Sequence, residues 1–318
     1  MKPSKKIRVA VLVGGPSSEH EISLRSGAMV AKFLNRKKYE VKMIKISKTG
    51  KWPITFQKFR ERFDVAFNAL HGEYGEDGTL QRILDRESIR YTGSGLRASE
   101  IGMNKIKSFT VFSKHKLETS PYCVVTNFPN AVIPPSCLGF PAVIKPANRG
   151  SSVGMSIVER LPELPDALKR CFKTSNVCII QSYIRGIELT CGVIEIAGKS
   201  IVLPPTEIVP ITRTFFDYHA KYTPGATKEI TPARIPKALE KKVMRAALVA
   251  HKSIGASGYS RSDFIFGEDK KLYILEINTL PGLTKESLLP KAAKVAGIAF
   301  PKLLDNIIEA AQQKATSH

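Results

Sequence analysis

The chain has 318 residues, 43% hydrophobic and 24% charged, a length beyond what one core holds, so two or three packed units are expected. No apolar run is long enough to cross a bilayer. The net charge is +21, from 49 Lys+Arg against 28 Asp+Glu, but the lysines are scattered without an aromatic-interleaved stripe. That argues against nucleic acid as the partner, while an anionic substrate would benefit from the field.

The opening MKPSKKIRVAVLVGG reads as a buried first strand, because its apolar run carries Arg8 and ends in GGPSSEHE with no small-residue cleavage site. The protein is therefore expected to remain in the cytoplasm. Arg8–Val13 is the first strand, and Ser18 with Glu21 forms a capping box for a helix to about Leu34. Strands are expected at Glu40–Ile46, Phe63–Leu70 and Ile89–Thr92, with a helix carrying Leu80, Ile83 and Leu84. This alternation predicts a parallel sheet covered on both faces, with ligands beyond the carboxyl ends of its strands. The segments GGPSSEHE and HGEYGEDG fall there.

A helix at Lys105–His115 opens a different pattern. Strands follow at Ala142–Lys145, Met155–Glu159 and Val177–Ile184, with a helix near Leu164–Phe172. The final third has strands near Glu188–Ile196 and Ser200–Leu203, an irregular Pro-rich stretch from Pro204 to Pro236 and a helix at Ala238–Ile254. The strand pair GYSRSDFIF and KLYILEIN comes next. The expected fold class is α/β followed by α+β, in three units at 1–103, 104–185 and 186–318. The five cysteines lie mostly among apolar residues with no CxxC pair, so buried thiols are expected in place of a disulfide framework or zinc site.

A hairpin symmetric about Asp269–Lys270 sets Asp263 opposite Glu276 and Arg261 opposite Asn278, all on one face. Two opposed carboxylates repel, and a divalent cation removes the conflict. Carboxylates and an amide oxygen are hard ligands suited to Mg²⁺. Lys145 ends the strand FPAVIK, and the following NRGSSVGMS can offer successive backbone N–H groups to a phosphate. It is neither a GxxxxGK[ST] loop nor GxGxxG, and as a Gly/Ser connection it also reads as a plain turn.

With GGPSSEHEISLRSG, HGEYGEDGTLQ, YTGSG, KPANRGSSVGMS, FFDYHAKY and RSDFIF…LEINTLPGLTKESLLP in this order, the chain resembles the D-alanine–D-alanine ligase family of the ATP-grasp superfamily over nearly its full length. The resemblance implies an N-terminal Rossmann-like domain and two α+β domains that clasp ATP. It also implies ATP-dependent joining of two D-alanines through an acyl phosphate, for peptidoglycan precursors. By resemblance, Lys105 and Lys145 hold the nucleotide phosphates beneath Ser151, Ser152 and Val153. Asp263, Glu276 and Asn278 hold Mg²⁺, two ions, with Mn²⁺ an acceptable substitute. Arg261 and the Gly282 N–H stabilise the oxyanion, Glu19 binds the first substrate's ammonium near His71, and Ser287 with Leu288 takes the second substrate's carboxylate. Glu19, Ser151 and Tyr222 form a hydrogen-bonded set, and Lys221 reaches the transferred phosphate. A homodimer is also implied.

Two positions depart from the family pattern. The adenine segment begins Gln181-Ser182 where Glu-Lys is usual, leaving a Gln carbonyl, backbone groups at Ser182 and Ile184, and Glu188 for the ribose. Asn104 replaces an aspartate. These changes motivate one alternative, a catalytically weak nucleotide-binding regulator; a D-alanine–D-lactate ligase is the other, and FFDYHAKY with Tyr222 favours the dipeptide.

Overall fold

The computed structural model describes residues 5–126, 128, 133–134, 137, 139–150, 153–211, 227–284 and 286–313. Strands β1 (Ile7–Gly14), β2 (Tyr39–Ile46) and β3 (Val65–Asn68) form a parallel sheet in the order β2-β1-β3. Alternation along β1 sends Val9, Val11 and Val13 to one face and Ala10 and Leu12 to the other. Helices α1 (His20–Phe33) and α9 (Phe300–Gln313) cover the first face. The second is covered by α2 (Phe56–Arg62), which the sequence reading leaves out, and α3 (Thr79–Arg86). Gly27 lets α1 approach β1, since a Cβ there would collide with Val13. Leu303, Leu304, Ile307 and Ile308 of α9 thus complete the core beneath β1, far from it in sequence.

Two local expectations are corrected. The α1 helix starts at His20 with Glu19 at its N-cap, so Ser18 is not the cap. Ser17 is the turn's working hydroxyl: it accepts from the Glu19 N–H at 3.2 Å and donates to the His71 carbonyl at 2.6 Å. The Ile89–Thr92 strand shrinks to one parallel bridge, Ala66 to Tyr91, because Gly93 (φ 88°) turns the chain away.

After α4 (Leu96–Met103) and α5 (Lys105–Lys114), four antiparallel strands follow: β4 (Tyr122–Val125), β5 (Ala142–Pro146), β6 (Ser156–Val158) and β7 (Cys178–Ser182), in order β4-β7-β5-β6. Helix α6 (Leu164–Phe172) packs its Leu164, Ala167 and Leu168 on this sheet. Asn104 has a physical role: its Oδ1 caps α5 by accepting from Ile106 and Lys107 N–H at 3.1 and 3.0 Å, a task asparagine performs about as well as aspartate. The cysteine expectation is overturned here. Cys123–Cys137 and Cys171–Cys178 are disulfides with Cα separations of 5.7 and 6.4 Å, and Cys191 is a buried free thiol. Cys171 lies on α6 and Cys178 on β7, so tertiary packing creates a pairing that no CxxC spacing announces.

The third sheet runs β11-β10-β8-β12-β13 with β9 beside β8. Its members are β8 (Gly186–Ile196), β9 (Lys199–Val202), β10 (Thr206–Pro210), β11 (Thr227–Ile230), β12 (Tyr259–Gly267) and β13 (Leu272–Asn278). β10 and β11 lie inside the stretch expected to be irregular. Pro204, Pro205 and Pro210 hide the alternation there, and proline is tolerated at such strand ends. Helix α7 (Lys237–Ser253) buries Leu239, Val243, Ala247 and Ala250 on this sheet. Helix α8 (Leu288–Val295) packs Leu289, Ala292 and Ala293 beside α9.

Candidate active site

Arg261 pairs with Asn278 and Asp263 with Glu276 across β12 and β13. The register then slips, so that Phe264 pairs with Ile274. The hairpin is therefore not symmetric through its turn: Leu275 is the extra residue of a bulge, and both Leu275 and Glu276 face one cavity. Three cations (Lys105, Lys145, Arg149) and three carboxylates (Glu188, Asp263, Glu276) line that cavity, beside Val153 and Met155. Lys105 and Lys145 are 7% and 8% exposed, and lysines so buried need anionic or π partners. Lys105 Nζ lies 3.3 Å from Glu276 Oε2 and donates to the Arg149 carbonyl at 2.8 Å. Lys145 Nζ sits 5.7 Å from the centroid of the Phe109 ring.

Arg261 grips Asp263 through two hydrogen bonds of 2.9 Å, Nε to Oδ1 and Nη2 to Oδ2. Thr190, on the neighbouring β8, donates to Asp263 Oδ1 at 2.6 Å. Arg261 and Lys105 already neutralise the two acids, so the expectation that their repulsion alone calls for a metal does not hold. The donor chemistry still fits Mg²⁺. Two hard carboxylates line the cavity beside Lys105 and Lys145, and Asn278 Oδ1 accepts only the Leu280 N–H, at 2.8 Å, among the described contacts. No cluster of three His, Cys, Asp or Glu suited to a metal occurs among the described residues, so the candidate set is two acids and one amide.

The loops beyond β1 and β3 bring Glu19 and His71 together. Both are buried, and a Cβ on Gly72, next to His71, would lie 3.0 Å from Glu19 Oε2. His71 Nε2 is hydrogen-bonded with Ser26 Oγ at 2.8 Å, and its Nδ1 lies 3.6 Å from Glu76 Oε1. Side chains, not backbone groups, thus hold this imidazole. Burial pushes the Glu76 carboxyl above the usual range; His71 pulls it back and the Glu19 charge pushes it further up. Burial, then the Glu76 charge, also raises the Tyr259 phenol, so this cluster adjoins the start of β12. Ser26 and Glu76 escaped the sequence reading, although Glu76 stands inside HGEYGEDG.

Ser287 occupies the N-cap position of α8 without capping it. Its Oγ accepts from the Thr284 N–H at 3.0 Å. That leaves the first turn, beginning at Leu288, oriented as an anion site. A Cβ on Gly282 would come within 2.8 Å of Ser287 Oγ, so glycine is what allows the two loops to meet.

At the end of β7, in the segment the resemblance assigns to adenine, Gln181 is buried and its Nε2 points to the Ser120 carbonyl, 3.4 Å away. The Ser182 N–H donates to the Pro121 carbonyl at 2.9 Å, which removes it as a nucleotide donor. Ile184 packs at the Gly267 turn, and Glu188 lines the cavity. Ser151, Ser152, Lys221 and Tyr222 lie outside the described residues.

A parallel-sheet unit joined to two antiparallel units, with a cavity of lysines and carboxylates between the two antiparallel sheets, defines an ATP-grasp protein. Profiles described as D-ala D-ala ligase N-terminus and C-terminus match residues 8–62 with 53–94, and 99–309, respectively. A D-alanine–D-alanine ligase of Geotalea uraniireducens is 42% identical over 98% of this chain and 97% of its own. One from Anaeromyxobacter dehalogenans is 44% identical over 97% and 98%. The chain belongs to the D-alanine–D-alanine ligase family. Among solved structures, the Bacillus anthracis D-alanine–D-alanine ligase complexed with ATP superposes with TM-score 0.82 at 34% identity, over 96% of this chain and 98% of that one. The Enterococcus faecalis VanG D-Ala:D-Ser ligase superposes at 0.83 with 29% identity, over 96% and 100%. No helix of the described residues is long and apolar enough to cross a membrane.

Proposed function

We propose that the chain joins two D-alanines into D-alanyl-D-alanine at the expense of ATP, in the cytoplasm, supplying the dipeptide for peptidoglycan precursors. The observation that carries this reading is the cavity where Lys105 and Lys145 face Asp263 and Glu276, with Arg261 clamped on Asp263. The two ammonium groups meet the nucleotide phosphates, Val153 covers them together with Ser151 and Ser152, and Glu188 takes the ribose. Gln181, Ile184 and the Ser182 carbonyl bound the adenine. Asp263, Glu276 and Asn278 would hold Mg²⁺, with two ions and Mn²⁺ as a substitute; when bound, it screens the phosphate charge.

Glu19 and His71 receive the first D-alanine's ammonium, which aims its carboxylate at the γ-phosphorus. A carboxylate oxygen forms the new P–O bond, ADP leaves and Lys221 accompanies the transferred phosphate. Glu19, Ser151 and Tyr222 keep the two loops in register. Ser287 and the Leu288 N–H hold the second D-alanine's carboxylate at the start of α8. Its ammonium gives up a proton to water, and the neutral amine attacks the acyl carbon. Arg261 and the Gly282 N–H meet the oxyanion, and collapse expels inorganic phosphate. We read the units as 1–103, 104–185 and 186–318, assembled as a homodimer.

The similarity to a D-Ala:D-Ser ligase gives a second reading, in which another D-configured acceptor is used. Incubation with ATP, D-alanine, D-serine and D-lactate at neutral pH, followed by mass analysis of products, separates the readings. D-alanyl-D-alanine should dominate; a dominant D-alanyl-D-serine or D-alanyl-D-lactate would overturn the choice.

A further inference from the structure

We infer that Arg149 is a positioning residue that fastens the glycine-rich β5–β6 connection to the first-substrate loop through Glu73, so that nucleotide affinity depends on an acid outside the nucleotide cavity. The inference rests on the ligase reading for the names of the two sites.

Arg149 is held at three points. Its Nε donates to the Thr174 carbonyl at 2.9 Å, its own carbonyl accepts from Lys105 Nζ at 2.8 Å, and its Nη1 forms an ion pair with Glu73. Lys105 in turn contacts Glu276. One residue thus ties the phosphate lysine, the connection that follows Lys145 and the loop of the N-terminal unit. The loop's other acids serve the loop itself: Glu76 accepts from the Gly72 N–H at 2.9 Å, and Asp77 from the Tyr74 N–H at 3.0 Å. Glu73 turns outward, and its partner lies on another sheet unit. Its neighbour Gly72 borders Glu19 Oε2, so the clasp joins the backbone beside the first-substrate acid to the backbone beside the nucleotide phosphates.

Charge alone makes the opposite forecast. Removing an acid near a polyanion site should tighten nucleotide binding, and would also release a guanidinium that lines the cavity. A clasp makes the same removal weaken binding, because Asn148–Gly150 must then be ordered by the nucleotide itself.

The test titrates the full chain with Mg²⁺ and a non-hydrolysable ATP analogue by calorimetry, comparing wild type with Glu73→Gln and Glu73→Ala. Amide exchange at Asn148–Gly150 is measured on the same free proteins. The clasp predicts that both variants raise Kd by about fivefold, the range of a well-anchored ion pair, and exchange faster at those amides. Unchanged or tighter binding, or weaker binding without faster exchange, overturns it. Circular dichroism melts check that both variants are folded, and a misfolded one is set aside in favour of the other. Neither readout needs turnover. A wild type with no D-alanine-dependent ADP release would sink the ligase reading while leaving this comparison intact.

Discussion

Replacing Glu276 with Gln is expected to lower D-alanine-dependent turnover by about 10³-fold or more while leaving the fold intact. Glu276, its side chain 27% exposed, pairs with the buried Lys105; glutamine keeps an oxygen to accept from that lysine, which also retains its bond to the Arg149 carbonyl. The backbone pairing of Glu276 with Asp263 is indifferent to the side-chain charge. The chemistry is not indifferent. An amide would offer a bound Mg²⁺ one neutral oxygen where the carboxylate would offer two that share a negative charge, and Lys105 loses the acid that aims it. Several kcal/mol of charge stabilisation are at stake, and each 1.4 kcal/mol is about a factor of ten. The check is coupled-enzyme turnover beside a thermal melt. A variant retaining more than about a tenth of wild-type turnover would contradict the assignment.

Arg261→Lys is the second large effect. Arginine's planar fork spans both Asp263 oxygens, with nitrogen–oxygen distances of 2.9 Å. Lysine, a single point charge, cannot reproduce this bidentate contact. The lost donor toward the oxyanion should cut kcat by about 10² to 10³-fold. The KM for ATP should stay within about threefold, since Lys105 and Lys145 remain. The melt should also shift downward, because Arg261 and Asp263 side chains are 15% and 13% exposed and their pairing is well desolvated. A KM effect larger than the kcat effect would reassign Arg261 to nucleotide binding.

What could be read from the sequence is what short-range periodicity records. Strand alternation carries the pairing of Asp263 with Glu276 and of Arg261 with Asn278, and the N-terminal strands stand out through runs such as Val9–Val13. The bulge at Leu275 was not legible, because a turn of unknown geometry separates the two arms. β10 is hidden because prolines precede and end it, and β11 because its TKEI carries a single apolar residue. Asn104 reads as a departure from the family pattern, yet its position just before a helix is a cap signal. The two disulfides, the Thr190–Asp263 bond and the Glu73–Arg149 pair join residues that no local spacing relates. They exist only once sheets and loops have packed, and a single sequence carries no record of that packing.

The ligase activity is tested most directly by one assay: ADP release by the wild-type chain with Mg²⁺ and ATP, titrated with D-alanine as the sole amino acid. It predicts release that is absent without D-alanine and matches D-alanyl-D-alanine formed mole for mole. ADP release independent of D-alanine, or none at saturating substrates by a folded protein, would contradict it.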